Sequence, residues 1–344
     1  MMDVLAVHPS PYATPVLYRG GRGKDIETCR TTGFRSVAPA LLAVLFCFSL
    51  GCSGPKGPLD DLPAGRIAAW GLDEDGQVSA APEGDDFVAV SAGNRHSLAL
   101  RRDGTLASWG RDSGGQVSGT PKGGGFVAIA AGYDYSLALR EDGTVAAWGW
   151  LEYQLGGPPP DHEGIVGIAA GFHQALLLGR DGSLLAWGQD FDGELSLEQL
   201  DGTPVRADLA SVSANLNHNL ALTRDGRIVA WGRDQIGSVA DTPDELGFTA
   251  VAAGARHSLA LDREGRIHAW GWDLRREVSD APSEAGFQAV SAGYTHSLAL
   301  DRNGRIHAWG WDRGDAGQTA DVPTEAGHVA ISAGDFHNLA IRVP

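Results

Sequence analysis

Runs of alternating apolar and small residues recur along the chain from Arg66 to Arg342. Phe87–Ser91, FVAVS, is the first complete example. Its alternation and its β-formers predict a strand, here called strand a. Ala92-Gly93 closes it, and Asn94-Arg95 forms a tip. His96–Arg102 predicts strand b. Asp103-Gly104 predicts a two-residue hairpin turn, since both residues tolerate the positive φ such turns need. Thr105–Trp109 predicts strand c. The acid-or-Asn–Gly turn returns at Asp142, Asp181, Asp225, Glu264 and Asn303. Trp-Gly pairs begin at Trp70, Trp109, Trp148, Trp187, Trp231, Trp270 and Trp309, 39 residues apart except for one step of 44. A fixed period of this size means a repeat architecture, in which no unit buries its own faces alone.

A two-residue turn sets the register. Arg102 falls opposite Thr105, Leu98 opposite Trp109 and Leu100 opposite Ala107. One face then carries His96, Leu98, Leu100 and Trp109; the other carries Ser97, Ala99, Leu106 and Ser108. A bulky face and a small face on one sheet suit face-to-face stacking of successive sheets. The chain ends complement each other. Arg66–Trp70 is a strand c with no a or b before it, and His328–Arg342 is an a and b with no c after it. Together they make one repeat, which predicts a ring rather than a capped, open solenoid. The expected fold is all-β: a seven-bladed β-propeller of three-stranded blades over residues 66–344, sealed by pairing the first strand with the last hairpin.

Charge narrows the function classes. The 344 residues carry a formal charge of −16. Residues 1–52 hold five Lys/Arg and three Asp/Glu, which leaves 22 basic and 40 acidic side chains, a net of −18, on the rest. A domain so acidic argues against nucleic acid as partner, because phosphate backbones need a basic footprint. Cys29, Cys47 and Cys52 lie outside the repeats, so the repeat domain is held by packing and not by disulfides. A monomer is expected.

Residues 1–36 lack a periodic pattern and read equally as disordered chain or as an over-long start. Val37–Leu50, preceded by Arg35, is an apolar run of fourteen residues, short for a membrane span and right for a signal-peptide core. Residues 37–52 therefore read as a signal peptide. Its end, Gly51-Cys52, resembles the cleavage site of bacterial lipoproteins, where the Cys becomes the lipidated first residue. Ser49 stands where such sites favour an aliphatic residue; an ordinary secretory signal with a chance Cys is the alternative. Residues 53–65 read as a tether reaching at most about 43 Å. The chain is thus expected at a bacterial cell envelope, on the membrane through a lipid anchor at Cys52, or otherwise secreted.

The motifs AGNRHSLALRRDGTLASWG from Ala92 and AGARHSLALDREGRIHAWG from Ala253 resemble the regulator-of-chromosome-condensation repeat family. The resemblance covers Arg66 to Arg342. It implies a seven-bladed propeller that binds other macromolecules. The exchange-factor activity of the eukaryotic namesake is not carried over, because this chain reads as secreted and acidic. Its blades are short, like those of bacterial members that include a propeller-shaped β-lactamase inhibitory protein. Three blades depart from the pattern. Tyr135 and Gln174 stand at the His position, Asn215 replaces the tip Gly, and Pro158-Pro159-Pro160 interrupts a connector.

Strand direction sorts the loops. The Gly-x-x tips and the connectors after Trp-Gly share one rim, the top; the Asp-Gly turns line the other. The top holds Tyr133, Asp134, Phe172, Tyr294 and Phe336 at tips. Trp150, Tyr153, Phe191, Trp272 and Trp311 lie in connectors. Aromatics beside scattered charges are the material of protein-binding hot spots, so these ten are the candidate partner-binding residues. Packing back into the connectors is the structural alternative. The bottom rim carries arginines, among them Arg101, Arg102, Arg140, Arg180, Arg224, Arg227, Arg263, Arg266, Arg302 and Arg305. They suggest a basic surface for an anionic membrane, or simply solvated turns.

His96, His218, His257, His296 and His337 occupy one blade position. Ring symmetry holds equivalent positions a blade apart, too far for one ion to gather three, so no metal is assigned. Each is expected to bond backbone between blades. Asp73-Glu74-Asp75-Gly76 and Asp190–Glu194 resemble calcium loops but lack the ligand ladder. No cofactor and no catalytic residue is assigned. The expected function is non-enzymatic binding of a protein partner of unknown identity. Two alternatives stand: an inhibitor of a secreted or periplasmic enzyme, and a lyase or hydrolase with a top-face pocket.

Overall fold

The computed structural model describes residues 57–159, 162–188, 208–216, 218–234, 236–314 and 316–344. Seven antiparallel three-stranded sheets follow one another in the chain. Blade 1 is strand a (Phe87–Ala92), strand b (His96–Arg101) and strand c (Leu106–Gly110). Blade 7 takes its strands a and b from the carboxyl end, His328–Ala333 and His337–Arg342. Its strand c is the first strand of the chain, Arg66–Gly71. Ile67 pairs with Ile341 and Trp70 with Asn338, so the ring closes as the chain ends predict.

The hairpin differs from the sequence expectation. The loop has three residues, Arg102-Asp103-Gly104. Arg101 donates its N–H to Thr105 O at 2.9 Å, and Gly104 donates to Arg101 O at 2.9 Å. Gly104 supplies the positive φ, +78°. Asp103 Oδ1 accepts from both the N–H and the hydroxyl of Thr105, at 2.9 and 2.7 Å, which locks the longer loop. One extra loop residue shifts the pairing by one and moves strand c to the other face. Trp109 therefore lies opposite Ser97, and Leu106 opposite Leu100. One face is Leu98, Leu100 and Leu106; the other is Ser97, Ala99 and Trp109.

This register explains the packing. The leucine face of blade 1 meets Ala138 and Trp148 of blade 2 in one buried cluster. Leu298, Leu300 and Ile306 of blade 6 meet Ala340 and Trp70. Leu339 and Ile341 of blade 7 meet Ala99 and Trp109. Each of these three interfaces sets two leucine-sized side chains against an alanine floor and one indole. Each fully buried leucine contributes roughly 1.5–3 kcal/mol. Each indole also has a polar end to satisfy. Trp109 and Trp148 donate Nε1–H to Gln77 O and Gln116 O, at 2.9 and 2.8 Å, in the connector of the preceding blade.

Residues 57–65, expected as a tether, are packed. Leu59 is buried among Val88, Leu100 and Phe126, and Gly65 exchanges backbone hydrogen bonds with Phe87. Arg102 Nη2 donates to Leu62 O at 2.8 Å. The signal region and Cys52 lie outside the described residues.

Strand a of every blade lines a central channel, whose walls include Val90, Ala130, Ala169, Val212, Ala252 and Ala330.

Candidate partner-binding rim

The tips are positioned by a ring of polar contacts between neighbouring blades. His96 Nε2 lies 2.9 Å from Ser136 Oγ of blade 2. His218 meets Ser258 at 2.7 Å, His257 meets Ser297 at 2.8 Å, His296 meets Asn338 at 2.7 Å, and His337 meets Ser97 at 2.8 Å. The partners are side chains, not the backbone groups expected. The two departures continue the ring by other means. Tyr135 Oη donates to Gln174 O at 2.5 Å, and Gln174 Nε2 donates to Asn219 Oδ1 at 2.9 Å. Burial depresses the histidines: His96 and His218 to about 4, His257 and His337 to about 3. The tip glycine makes room for this ring. A Cβ at Gly93 would lie 2.8 Å from His96 Cε1 and 2.6 Å from Gly132 O.

Among the described residues, the connectors that leave blades 1, 2, 5, 6 and 7 start by bonding back to their own tips. Trp150 N donates to Asp134 O, Trp272 N to Arg256 O, and Trp311 N to Thr295 O, at 2.8–3.0 Å. Tips and connectors therefore share one rim, as strand direction predicts. Beyond that first bond the connectors that leave blades 1, 5 and 7 turn on themselves around an Asp. Asp73 Oδ1 accepts from Val78 N and Ser79 N at 2.8 and 3.0 Å, and Asp112 and Asp273 repeat the pattern. The calcium-like Asp73 thus serves as a turn cap.

The candidate aromatics fall into two arcs. The first spans blades 2 and 3. Tyr133 and Phe172 have ring centroids 3.9 Å apart, and Trp150 and Tyr153 5.3 Å. The short helix Leu151–Leu155 carries Tyr153 outward. Trp150 and Tyr153 are 45% and 44% exposed, whereas the strand-c indoles are all buried. The second arc spans blades 5 to 7. Tyr294 and Phe336 are 5.6 Å apart. Arg256 stands over Trp272 at 5.6 Å, Arg275 over Trp311 at 4.3 Å and Arg313 over Phe336 at 4.6 Å. Phe191 lies outside the described residues.

Asp134 differs from the other candidates. It is buried and accepts Gln116 Nε2–H at 3.0 Å, and burial raises its pKa. Its carboxylate serves the fold more than the surface. Asp335, at the channel mouth beside it, accepts Asn94 Nδ2–H at 2.8 Å. Burial pushes it up to about 7, with the Asp134 charge adding to the rise.

The bottom rim is less basic than its turns suggest. The loops leading into strand a bring acids to the same edge. Arg101 pairs with Asp86 at 2.8 Å, Arg227 with Asp244 at 2.9 Å, and Arg342 with Glu325 at 3.9 Å.

Sequence comparison identifies five of the blades. Residues 87–116, 126–151, 209–235, 248–275 and 287–318 match the regulator of chromosome condensation (RCC1) repeat. RCC1 repeats thus recur across the chain, from residue 87 to residue 318. Blade 3, with its Gln174, and the split blade 7 are the ones this repeat model passes over. No curated protein sequence matches the chain. Among solved structures it is similar to Prp20p of Saccharomyces cerevisiae, at 21% identity and a TM-score of 0.63, over 82% of this chain and 92% of that one. Human WBSCR16 shares 16% identity, with a TM-score of 0.64, over 81% and 98%. The CRINKLY ectodomain of the Arabidopsis thaliana receptor kinase ACR4 shares 22%, with a TM-score of 0.59, over 72% and 90%. At these identities the likeness is one of fold.

Arg256, Leu274, Arg275, Arg276 and Arg313 also reach this rim, although the aromatic pattern of the sequence does not mark them. Leu274 is 71% exposed. Arg276 carries a legible signal: it stands where the connectors that leave blades 1, 4, 6 and 7 have Gly115, Gly237, Gly317 and Gly76.

Proposed function

We propose that this RCC1-repeat propeller binds a protein partner through its top rim and performs no chemistry there. The observation that carries the reading is the segregation of aromatics. Strand-c indoles are buried between blades, while Trp150 and Tyr153 face solvent beside their tips. Exposed aromatics on a rigid ring make contact area at small entropic cost. The yeast neighbour Prp20p has been described for its binding to Gsp1p and histones, and has been solved bound to Kap60; protein partners are therefore in keeping with the fold. On this reading the partner belongs to the envelope, and inhibition of a secreted or periplasmic enzyme is one form the binding takes.

We read Cys52 as the anchor. Leu59 is buried against the propeller, and the six residues Ser53–Pro58 between it and Cys52 span at most roughly 20 Å. A lipid there would hold the propeller by its bottom rim, with the aromatic rim outward.

The test is a pull-down from envelope extract with wild type, Trp150→Ala/Tyr153→Ala and Trp272→Ala/Trp311→Ala. Loss of a partner in either variant is the expected result. Identical partner sets in all three would remove the aromatic rim from consideration.

A further inference from the structure

The second aromatic arc has a charge pattern of its own. Several arginines elsewhere on the propeller are paired within the fold: Arg95 with Glu74 and Asp75, Arg101 with Asp86, Arg227 with Asp244 and Arg342 with Glu325. Arg256, Arg275 and Arg313 form no ion pair with a described residue, and all three are exposed. Each instead stands over an aromatic face. Stacking holds a guanidinium by its plane and leaves its N–H edges free, the arrangement that receives a carboxylate in bidentate fashion. Two acids of the same connectors are held by backbone N–H groups. Asp273 caps Val278 and Ser279, and Asp312 accepts from Gln318 N.

A fourth guanidinium is held there against backbone preference. The connector residue at this turn is Gly76, Gly115, Gly237 and Gly317 in other blades, with φ of 79°, 83°, 81° and 77°. In blade 5 it is Arg276, with φ 65°, the only non-glycine residue of positive φ among the described residues. L side chains rarely adopt that conformation. The exposed pairing of Arg276 with Asp280, at 3.4 Å, gains little in water. Fold stability alone favours Gly here, so the side chain answers to something outside the fold. Leu274, exposed in the same loop, supplies an apolar contact.

We propose that this arc, Arg256, Arg275, Arg276 and Arg313 with their aromatic supports, docks a carboxylate-rich peptide segment of the partner. This deepens the top-rim reading and rests on it. A short acidic segment fits the charge balance better than a long polyanion does. Outside residues 1–52 the chain carries a net −18, which repels any polymer that overruns the arc.

The experiment pans a random dodecapeptide phage library against the purified full chain. Enriched peptides are then titrated by fluorescence anisotropy against wild type, Arg275→Ala/Arg313→Ala, Arg276→Gly and Trp150→Ala/Tyr153→Ala. The proposal expects Asp/Glu-rich peptides with an apolar anchor. It expects about a tenfold loss of affinity for each guanidinium–carboxylate contact removed, and weakening as salt rises. Arg276→Gly restores the repeat's own residue, so it weakens binding while leaving the fold intact or firmer. Enriched peptides that are neutral or basic, or that bind the Arg variants unchanged, overturn the proposal. If those same peptides lose binding to Trp150→Ala/Tyr153→Ala, the top-rim reading survives without it. If they are indifferent to both sets, both readings fall. Duplex DNA or phosphatidylglycerol vesicles bound with the same Arg dependence and equal affinity also overturn the choice of a peptide.

Discussion

Acidification should unfold this protein in a range where most proteins are stable, because its blades are pinned by neutral histidines. His96, His218, His257 and His337 are held to about 4, 4, 3 and 3. An unfolded histidine titrates near 6.5. Between these values the unfolded chain binds protons that the folded one refuses, so stability is intact above pH 6.5 and falls as pH drops below it. From pH 7 to pH 5 each such histidine costs about 1.9 kcal/mol, and the four together about 7.5. Asp335 acts in the opposite direction. Its folded pKa is raised to about 7, so it takes up a proton in the folded state first and returns about 2.3 kcal/mol over the same interval. The net loss is about 5 kcal/mol, comparable with the whole stability of an ordinary domain. His296 and His328, also depressed, deepen the loss; Asp134 and Glu277, raised by burial, offset part of it. Guanidinium unfolding at pH 7, 6 and 5 measures the effect, and potentiometry should find about three protons taken up on unfolding near pH 5.5. His257→Gln copies the solution of blade 3 and should lower that uptake by about one. Stability that stays level from pH 7 to pH 5, or an uptake unchanged in His257→Gln, would refute the reasoning.

Two further outcomes follow from the geometry. Trp148→Ala removes a buried indole and its bond to Gln116 O, and should cost about 3–5 kcal/mol in thermal or chemical unfolding; Trp150→Ala, two residues on and 45% exposed, should stay within about 0.5 kcal/mol. If Cys52 carries the lipid, the wild-type chain should partition into detergent on Triton X-114 phase separation and Cys52→Ser into the aqueous phase; identical partitioning would remove the anchor.

The blades were legible because their signals are redundant. Strand alternation, the Asp-Gly turn and the Trp-Gly mark all repeat, and the split ends alone were enough to predict closure. The register was not, because Asp-Gly serves both two-residue loops and three-residue loops that end in a left-handed Gly. Thr105 caps the longer loop through Asp103, but blades 4, 5 and 6 form the same loop with Arg227, Arg266 and Arg305 at that position. The histidine position was legible as scaffold, but not its partner. That partner is one blade and 40 residues away, at Ser136 for His96, and no local pattern announces it. The pairings of the bottom rim were not legible because turn arginines are conspicuous while acids that pair with some of them, such as Asp86 and Asp244, sit in the loops before strand a. Arg276 is legible in the repeats themselves, since a lone Arg at a position otherwise held by Gly implies a backbone cost.

The closure of blade 7 also fixes when the molecule can finish folding. Blades 1 to 6 are each contiguous hairpins and can form in the order in which the chain is made. Arg66–Gly71 must wait, unpaired on its blade-7 edge, until His337–Arg342 has been synthesised. Joining them closes a loop of about 270 residues, an entropic cost that grows only logarithmically with length but that leaves the last step slow. A chain broken off before His328 would lack the partner of that strand, and would bare the leucine face of blade 6 and the Ala99–Trp109 face of blade 1. The ring thus acts as a check on its own completeness, giving truncated copies the exposed apolar surface by which proteases and chaperones sort them.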